Sequence, residues 1–177
     1  MYDSLASRVP PETIIVEESP SSKPELHRRI KVRRSMRFLS AAMGGLGFAM
    51  PAAVGLRMGC DRPVIAIVGD GSSQYSIQSI WSAVEYQVGV LFIIMNNGSY
   101  SIMDRLAEMQ SYSRKVWPPL GHIDISKLAQ GYGRDSLRIE NQSQLDDAFT
   151  SLIPKLSSLS SPVLLDVQVE SDPTFEP

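Results

Sequence analysis

Two stretches of this chain, Val64-Ile65-Ala66-Ile67-Val68 and Val90-Leu91-Phe92-Ile93-Ile94-Met95, are apolar at every position rather than at alternate ones. Strands of that kind are buried on both faces. Joined by a helical stretch, they read as a βαβ unit in a parallel sheet covered by helices. Each run ends in a short polar motif: Gly69-Asp70-Gly71 after the first, Asn96-Asn97-Gly98-Ser99 after the second. Ligands of open parallel sheets collect beyond the carboxyl ends of the strands, so a carboxylate and paired amides are delivered to one edge. Asp70 by its carboxylate, Asn97 by its side-chain carbonyl and a backbone carbonyl near Ser99 form a hard-oxygen set. It suits Mg²⁺, which commonly keeps waters and phosphate oxygens as its remaining ligands.

The rest of the chain fits the same architecture. Thr13-Ile14-Ile15-Val16 reads as a short buried strand, with Glu17-Glu18-Ser19-Pro20-Ser21-Ser22 as a turn after it, and helical pattern resumes near Pro24. Pro51 suits the first turn of a helix ending near Gly59. Ile77, Ile80, Trp81, Val84 and Val88 fall at helical spacing, which predicts a helix packing that face on the sheet, with Trp81 in the core. Further helices are predicted after Ser99 and over residues 125–130, and Leu137-Arg138-Ile139 reads as an edge strand. Ser143 and Asp146 resemble a capping box for a helix burying Leu145, Phe149, Leu152 and Leu156, with Pro154 ending its regular part. Residues 163–169 supply the last strand. The alternation predicts a doubly wound, mainly parallel α/β sheet with helices on both faces.

At 177 residues and 43% hydrophobic content the chain can bury a substantial core, so one domain over residues 1–177 is expected. A net charge of −2 gives no overall pull toward nucleic acid or anionic membrane. Seven Lys or Arg residues crowd the segment from Lys23 to Arg37, but without interleaved aromatics, which favours a solvated or subunit-facing helix over a nucleic-acid surface. Cys60 is alone, and no apolar run approaches the ~20 residues of a membrane span. A cytoplasmic protein without membrane or nucleic-acid partners is the expectation. No GxGxxG or GxxxxGK[ST] occurs, which weakens dinucleotide and P-loop readings.

The spacing of Gly69-Asp70-Gly71 and Asn96-Asn97 resembles that of the thiamine-diphosphate-dependent enzymes. The stretch Ala42-Met43-Gly44-Gly45-Leu46-Gly47-Phe48-Ala49-Met50-Pro51 is similar to the loop and helix preceding this motif in benzoylformate decarboxylases. The likeness continues through Tyr75-Ser76-Ile77, Asn96-Asn97-Gly98-Ser99-Tyr100 and Ala129-Gln130-Gly131-Tyr132-Gly133. It covers the cofactor-diphosphate (PP) domain of that family. The resemblance implies that Asp70 and Asn97 bind Mg²⁺ by side chain and Ser99 by its backbone oxygen. Gly71, Ser72, Ser73 and Tyr75 would face the diphosphate, helped by N–H groups at the start of the Ile77-containing helix. Ser21 would touch the diphosphate as well. Leu46 would sit beneath the thiamine rings, and the Gly44 carbonyl would bond the pyrimidine amino group. Asn96 is expected to be a structural amide. Ile102 and Leu106, one helical turn apart, would border the substrate, Ile102 favouring short aliphatic 2-oxo acids. Tyr112, Trp117, Pro118 and Pro119 suggest a loop over the cofactor rim. His27 and His122 receive no catalytic role.

In this family the glutamate that activates thiamine diphosphate lies on a pyrimidine-binding (Pyr) domain, across a subunit interface. Glu17 and Glu18 are not its equivalent, since they precede the PP motifs. The expectation is a 2-oxo-acid decarboxylase domain that associates with a Pyr domain or subunit, as a homo- or hetero-oligomer, and is inactive as an isolated chain. The alternatives are an acetolactate-synthase-like carboligase domain, or a non-catalytic cofactor-binding or oligomerising module or fragment.

Overall fold

In the computed structural model of the chain, residues 1–32, 34–112 and 117–171 are described. The strands are β1 (Ile14–Glu18), β2 (Phe38–Ser40), β3 (Val64–Gly69), β4 (Val90–Asn96), β5 (Ser136–Ile139) and β6 (Val163–Gln168). They form a sheet in the order β2-β1-β3-β4-β6-β5, parallel at every pairing. The helices are α1 (Tyr2–Ala6), α2 (Lys23–Arg29), α3 (Ala49–Gly59), α4 (Asp70–Ser73), α5 (Ser79–Glu85), α6 (Ser101–Met109), α7 (Ile125–Gly131) and α8 (Gln142–Leu152).

The unbroken apolar runs are explained by two cores. Alternate residues of the central strands point to opposite faces. Ile65, Ile67, Leu91, Ile93 and Leu165 meet α1, α2 and α8 through Leu5, Leu26 and Phe149. Val64, Ala66, Val68, Phe92 and Ile94 meet α3, α5 and α7 through Met50, Ala53, Ile80 and Ala129. The doubly wound parallel α/β fold is therefore as read from the sequence. Register brings three strand ends level: Glu18 lies opposite Val68, and Gly69 opposite Met95. The chain leaves β1 outward to β2 and then crosses to β3, so the order reverses between β1 and β3, where such sheets open a crevice.

Several local expectations are corrected. Glu17 and Glu18 belong to β1, not to a turn, and both are buried. Ile77, Ile80 and Val88 are buried in the core and Val84 packs against it, as read, but Trp81 is 53% exposed, and α5, which begins only at Ser79, buries Ala83 on that face. The helix through the basic segment stops at Arg29, after which the chain builds the edge strand β2. Within that segment Arg37 is buried and donates to the Lys31 carbonyl, while Arg28 and Arg29 pair with Glu25; Arg33 lies outside the described residues. The α8 cap is Asn141, which accepts from the Gln144 N–H, while the Gln144 side chain accepts from the Glu140 N–H. Asp146 turns to the Ser4 hydroxyl and Arg8. Pro154 does end the regular helix, leaving a 3-10 segment over Ile153–Ser158. Among the described residues no helix is long and apolar enough to cross a membrane.

Candidate cofactor site

A cleft of about 380 Å³ opens at the carboxyl ends of β1, β3 and β4. Its lining gathers Ser21, Gly44, Leu46, Asp70, Gly71, Ser72, Asn97, Ser99 and Ile102 from segments far apart in sequence. Ser73 and Tyr75 are not among these lining residues. Ser73 is fully buried and donates its hydroxyl to the Asp70 carbonyl; Tyr75 is 58% exposed beside Gly47. Leu106 is 39% exposed and lines neither this cleft nor its neighbour.

The two polar motifs meet directly. Gly98 N–H donates to Asp70 Oδ2 at 2.8 Å and, less closely, to Asn96 Oδ1 at 3.2 Å. Asn97 Oδ1 accepts from Ser99 N–H at 3.0 Å, and its amide nitrogen donates to Ser101 Oγ at 2.9 Å. Gly98 adopts φ +70°, a left-handed conformation that suits glycine, and this turns the amides back over Asp70. Asn96 is a structural amide: its nitrogen donates to Asp166 Oδ1 at 2.9 Å. Burial pushes both carboxyls up, Asp166 against the opposing pull of the Asn96 amide and Arg138, and Asp70 to about 6 against that of N–H groups from Gly71 and Gly98.

Gly71 is needed for close approach. A Cβ there would lie 2.5 Å from Tyr100 Cε1, because the Tyr100 ring packs on this backbone while its hydroxyl donates to the Gly71 carbonyl at 3.3 Å. Tyr100 in turn faces Trp117, with ring centroids 6.2 Å apart, and Leu120 N–H donates to the Gly98 carbonyl at 2.7 Å. The segment after residue 116 thus sits at the rim of the cleft. Tyr112 is exposed, and residues 113–116 lie outside the described residues. The first helical turn beyond β3 is α4, which starts at Asp70 itself, and the next helix begins only at Ser79, after Ile77.

A second cavity, of about 450 Å³, shares Pro20, Gly44, Leu46 and Ile102 with the cleft and extends to Glu17, Glu18, Lys23, His27 and Ser40. Sequence reasoning missed this wall. Its signal was two consecutive acids continuing an apolar strand, a position where carboxylates must find partners.

The donor chemistry fits a metal–diphosphate group. The described residues lining the cleft include the acids Asp70, Glu25 and Glu170 and no Lys or Arg. A phosphate there needs a cation brought with it, and the hard oxygens of Asp70 and Asn97 are ligands for one. Among the described residues there is no cluster of three or more His, Cys, Asp or Glu.

A parallel α/β sheet with a cleft at its carboxyl edge is the layout of a cofactor-binding α/β domain. Residues 21–167 match the family described as thiamine pyrophosphate enzyme, C-terminal TPP binding domain, and the chain belongs to that family. It is 32% identical to benzoylformate decarboxylase of Pseudomonas aeruginosa over all of this chain and 32% of that protein. It is 30% identical to the acetolactate synthase large subunit of Buchnera aphidicola over 74% of this chain and 23% of that protein. The benzoylformate decarboxylase structure from Polynucleobacter necessarius superposes with a TM-score of 0.89 at 30% identity, covering 99% of this chain and 33% of that one. The thiamine diphosphate-dependent 4-hydroxybenzoylformate decarboxylase of Rhodococcus jostii gives 0.86 at 30% identity, covering 97% and 32%. The chain spans about a third of the length of the benzoylformate decarboxylases it matches.

Proposed function

We propose that these 177 residues serve as the PP domain of a thiamine-diphosphate-dependent 2-oxo-acid decarboxylase of the benzoylformate decarboxylase kind, holding the cofactor through Mg²⁺. One observation carries the metal: an anion-sized cleft whose described lining is acidic and lacks Lys and Arg. Asp70 and Asn97 hold the ion by side chain and Ser99 by its carbonyl, while Gly71, Ser72 and Ser21 flank the diphosphate. When bound, thiamine diphosphate supplies a carbon nucleophile for the 2-oxo carbon and an electron sink for the pair released with CO₂. Leu46 and the Gly44 carbonyl orient its rings, and Ile102, at the junction of the two cavities, limits the substrate side chain and favours short aliphatic acids.

The proton step that activates the cofactor needs a carboxyl group within ~2.6–3.2 Å of the pyrimidine. Three glutamates near the cavities are committed elsewhere: Glu18 to three backbone N–H groups, Glu17 to Ser19, Ser40 and Lys23, and Glu25 to Arg28 and Arg29. On the family's pattern the activating glutamate comes from a Pyr domain or subunit, and the chain by itself does not turn over. The decarboxylase reading is preferred to a carboligase because benzoylformate decarboxylases match at 32% identity and at TM-scores of 0.89 and 0.86, against 26–30% identity for the acetolactate synthases.

Calorimetric titration of the chain with thiamine diphosphate, with Mg²⁺ or with chelator, is the test. Binding should require the ion and vanish in Asp70→Ala. Undiminished binding in chelator would sink the metal assignment. Adding a compatible Pyr domain should bring CO₂ release from 2-oxo acids, and turnover by the chain alone would show that the catalytic base has been misplaced.

A further inference from the structure

Glu17 and Glu18 are neighbours at the end of a strand, almost wholly buried, and each reaches one end of the same loop. The loop is the segment 41–46 that carries Gly44 and Leu46. On its near side, Ser40 lies opposite Glu17 in the β1–β2 register, and its hydroxyl donates to Glu17 Oε2 at 2.9 Å. Lys23 Nζ stands 3.5 Å from the same oxygen and donates to Ser40 Oγ at 2.9 Å, supplying the charge that a buried carboxylate demands. Glu17 Oε1 accepts from Ser19 N–H at 2.6 Å, which fixes the acid itself.

On the far side, Glu18 takes three successive N–H groups. Oε1 accepts from Gly47 at 2.8 Å, and Oε2 accepts from Phe48 at 2.6 Å and Ala49 at 2.7 Å. These donors lead into α3, an 11-residue helix whose own N-cap residue, Phe48, makes no side-chain cap bond. A distant carboxylate thus does what a local Ser or Asp does at most helix starts, with the added strength of a charged acceptor. Between the two anchors the loop makes a single 3-10 turn over Ala42–Gly44, closed by a long bond of 3.5 Å from the Gly45 N–H to the Ala42 carbonyl. Cβ atoms built at Gly44 and Gly45 would meet nothing within 4 Å, and Met43 is fully exposed.

We infer that Glu17 and Glu18 are positioning residues, a two-point clamp that sets the height and tilt of the loop presenting the Gly44 carbonyl and Leu46 to the thiamine rings. The inference rests on the reading that Gly44 and Leu46 face those rings. The diphosphate ligands on β3 and β4 are held independently, by the Asp70–Gly98 and Asn97–Ser99 bonds. The clamp therefore governs how the chain holds the rings, not how it holds the phosphates.

The full chain, as wild type, Glu18→Gln and Ser40→Ala, is assayed in two ways. Amide hydrogen exchange is followed at residues 47–49, and binding of thiamine diphosphate and of inorganic pyrophosphate is measured, each with Mg²⁺. Glutamine keeps the shape of Glu18 but offers one acceptor oxygen and places an NH₂ against backbone donors. The expected result is exchange at residues 47–49 faster by about tenfold or more, and thiamine diphosphate affinity lower by about tenfold, with pyrophosphate affinity within about twofold of wild type. Ser40→Ala removes the near-side tether and should lower thiamine diphosphate affinity by roughly threefold with the same sparing of pyrophosphate; it carries the test if Glu18→Gln does not fold. Equal losses for both ligands, or unchanged protection at residues 47–49, would overturn the clamp. A wild-type chain that fails to bind Mg²⁺-pyrophosphate would instead overturn the diphosphate reading of the cleft, and hydrogen exchange would still decide the clamp.

Discussion

Replacing Asp70 by Asn should make the metal-free chain more stable while removing its response to Mg²⁺. Burial raises the Asp70 carboxyl from 3.8 to about 6, so between these values the folded chain binds more protons than the unfolded one. Stability from this group is complete below about pH 4 and is lost as pH rises through about 6, which is the sign required when the folded state holds the extra proton. A shift of about two units corresponds to roughly 3 kcal/mol at neutral pH, as an upper figure. Asparagine removes the buried charge and can still accept the Gly98 N–H through its side-chain oxygen. In chelator at pH 7, Asp70→Asn should therefore unfold at higher denaturant than wild type by about 1–3 kcal/mol, or some 3–10 °C in Tm for a domain of this size. The gap should close toward pH 4. With Mg²⁺ and thiamine diphosphate the order should reverse, because only wild type gains binding energy. Denaturant melts across pH 4–8, with and without the ligands, make the comparison. A variant no more stable than wild type at pH 7 in chelator, or a gap that does not change between pH 4 and 7, would refute the argument that burial of the Asp70 charge costs more than its backbone N–H partners return.

Other substitutions separate site from scaffold. Gly71→Ala places a Cβ 2.5 Å from Tyr100 Cε1, so the ring must swing off the cleft floor; pyrophosphate titration should show affinity lower by about tenfold, with a stability loss of about 1–3 kcal/mol. Gly89→Ala meets backbone instead, with its Cβ 1.9 Å from the Leu159 carbonyl oxygen, and should cost about 3 kcal/mol or more in urea melts without a direct effect on the cleft. Trp81→Ala should cost less than about 1 kcal/mol, since the side chain is half exposed, and a loss of the size expected for a core Trp would show that this face is covered in solution. Asn97→Ala should abolish the stabilisation by Mg²⁺ with thiamine diphosphate while leaving the metal-free melt within about 1 kcal/mol of wild type.

What the sequence made legible follows from which interactions are local. The βαβ pattern and the two polar motifs needed only hydrophobic runs and their endings, and the two cores on either side of β3 and β4 are the direct outcome of those runs. Misreadings arose where a distant partner decides the local state. Two glutamates with a proline two residues further on look like a turn when nothing shows that Gly47, Phe48, Ala49, Ser40 and Lys23 will satisfy them. The α8 cap lay two residues earlier than read, because Asn141 caps while Asp146 is drawn off to α1 and Arg8. Trp81 was placed in the core by a periodicity counted from Ile77, but regular helix starts only at Ser79, and of that set Trp81 alone stands mainly exposed.

The same distinction explains how the two halves of this site differ. The proposed metal half is marked in the sequence: each motif sits at the end of its own apolar strand, and neighbouring strands bring Asp70 and Gly98, 28 positions apart, within one hydrogen bond. The proposed ring-facing half has no such mark, since the loop carrying Gly44 and Leu46 is held by Glu18, an acid 29–31 positions before its partners that reads as part of a turn. A substitution near β1 can therefore alter the ring support while leaving the diphosphate cradle intact. A substitution in Gly69-Asp70-Gly71 or Asn96-Asn97-Gly98 strikes the cradle directly. Separate measurements with pyrophosphate and with thiamine diphosphate follow from this construction, because only the second ligand reports on both halves.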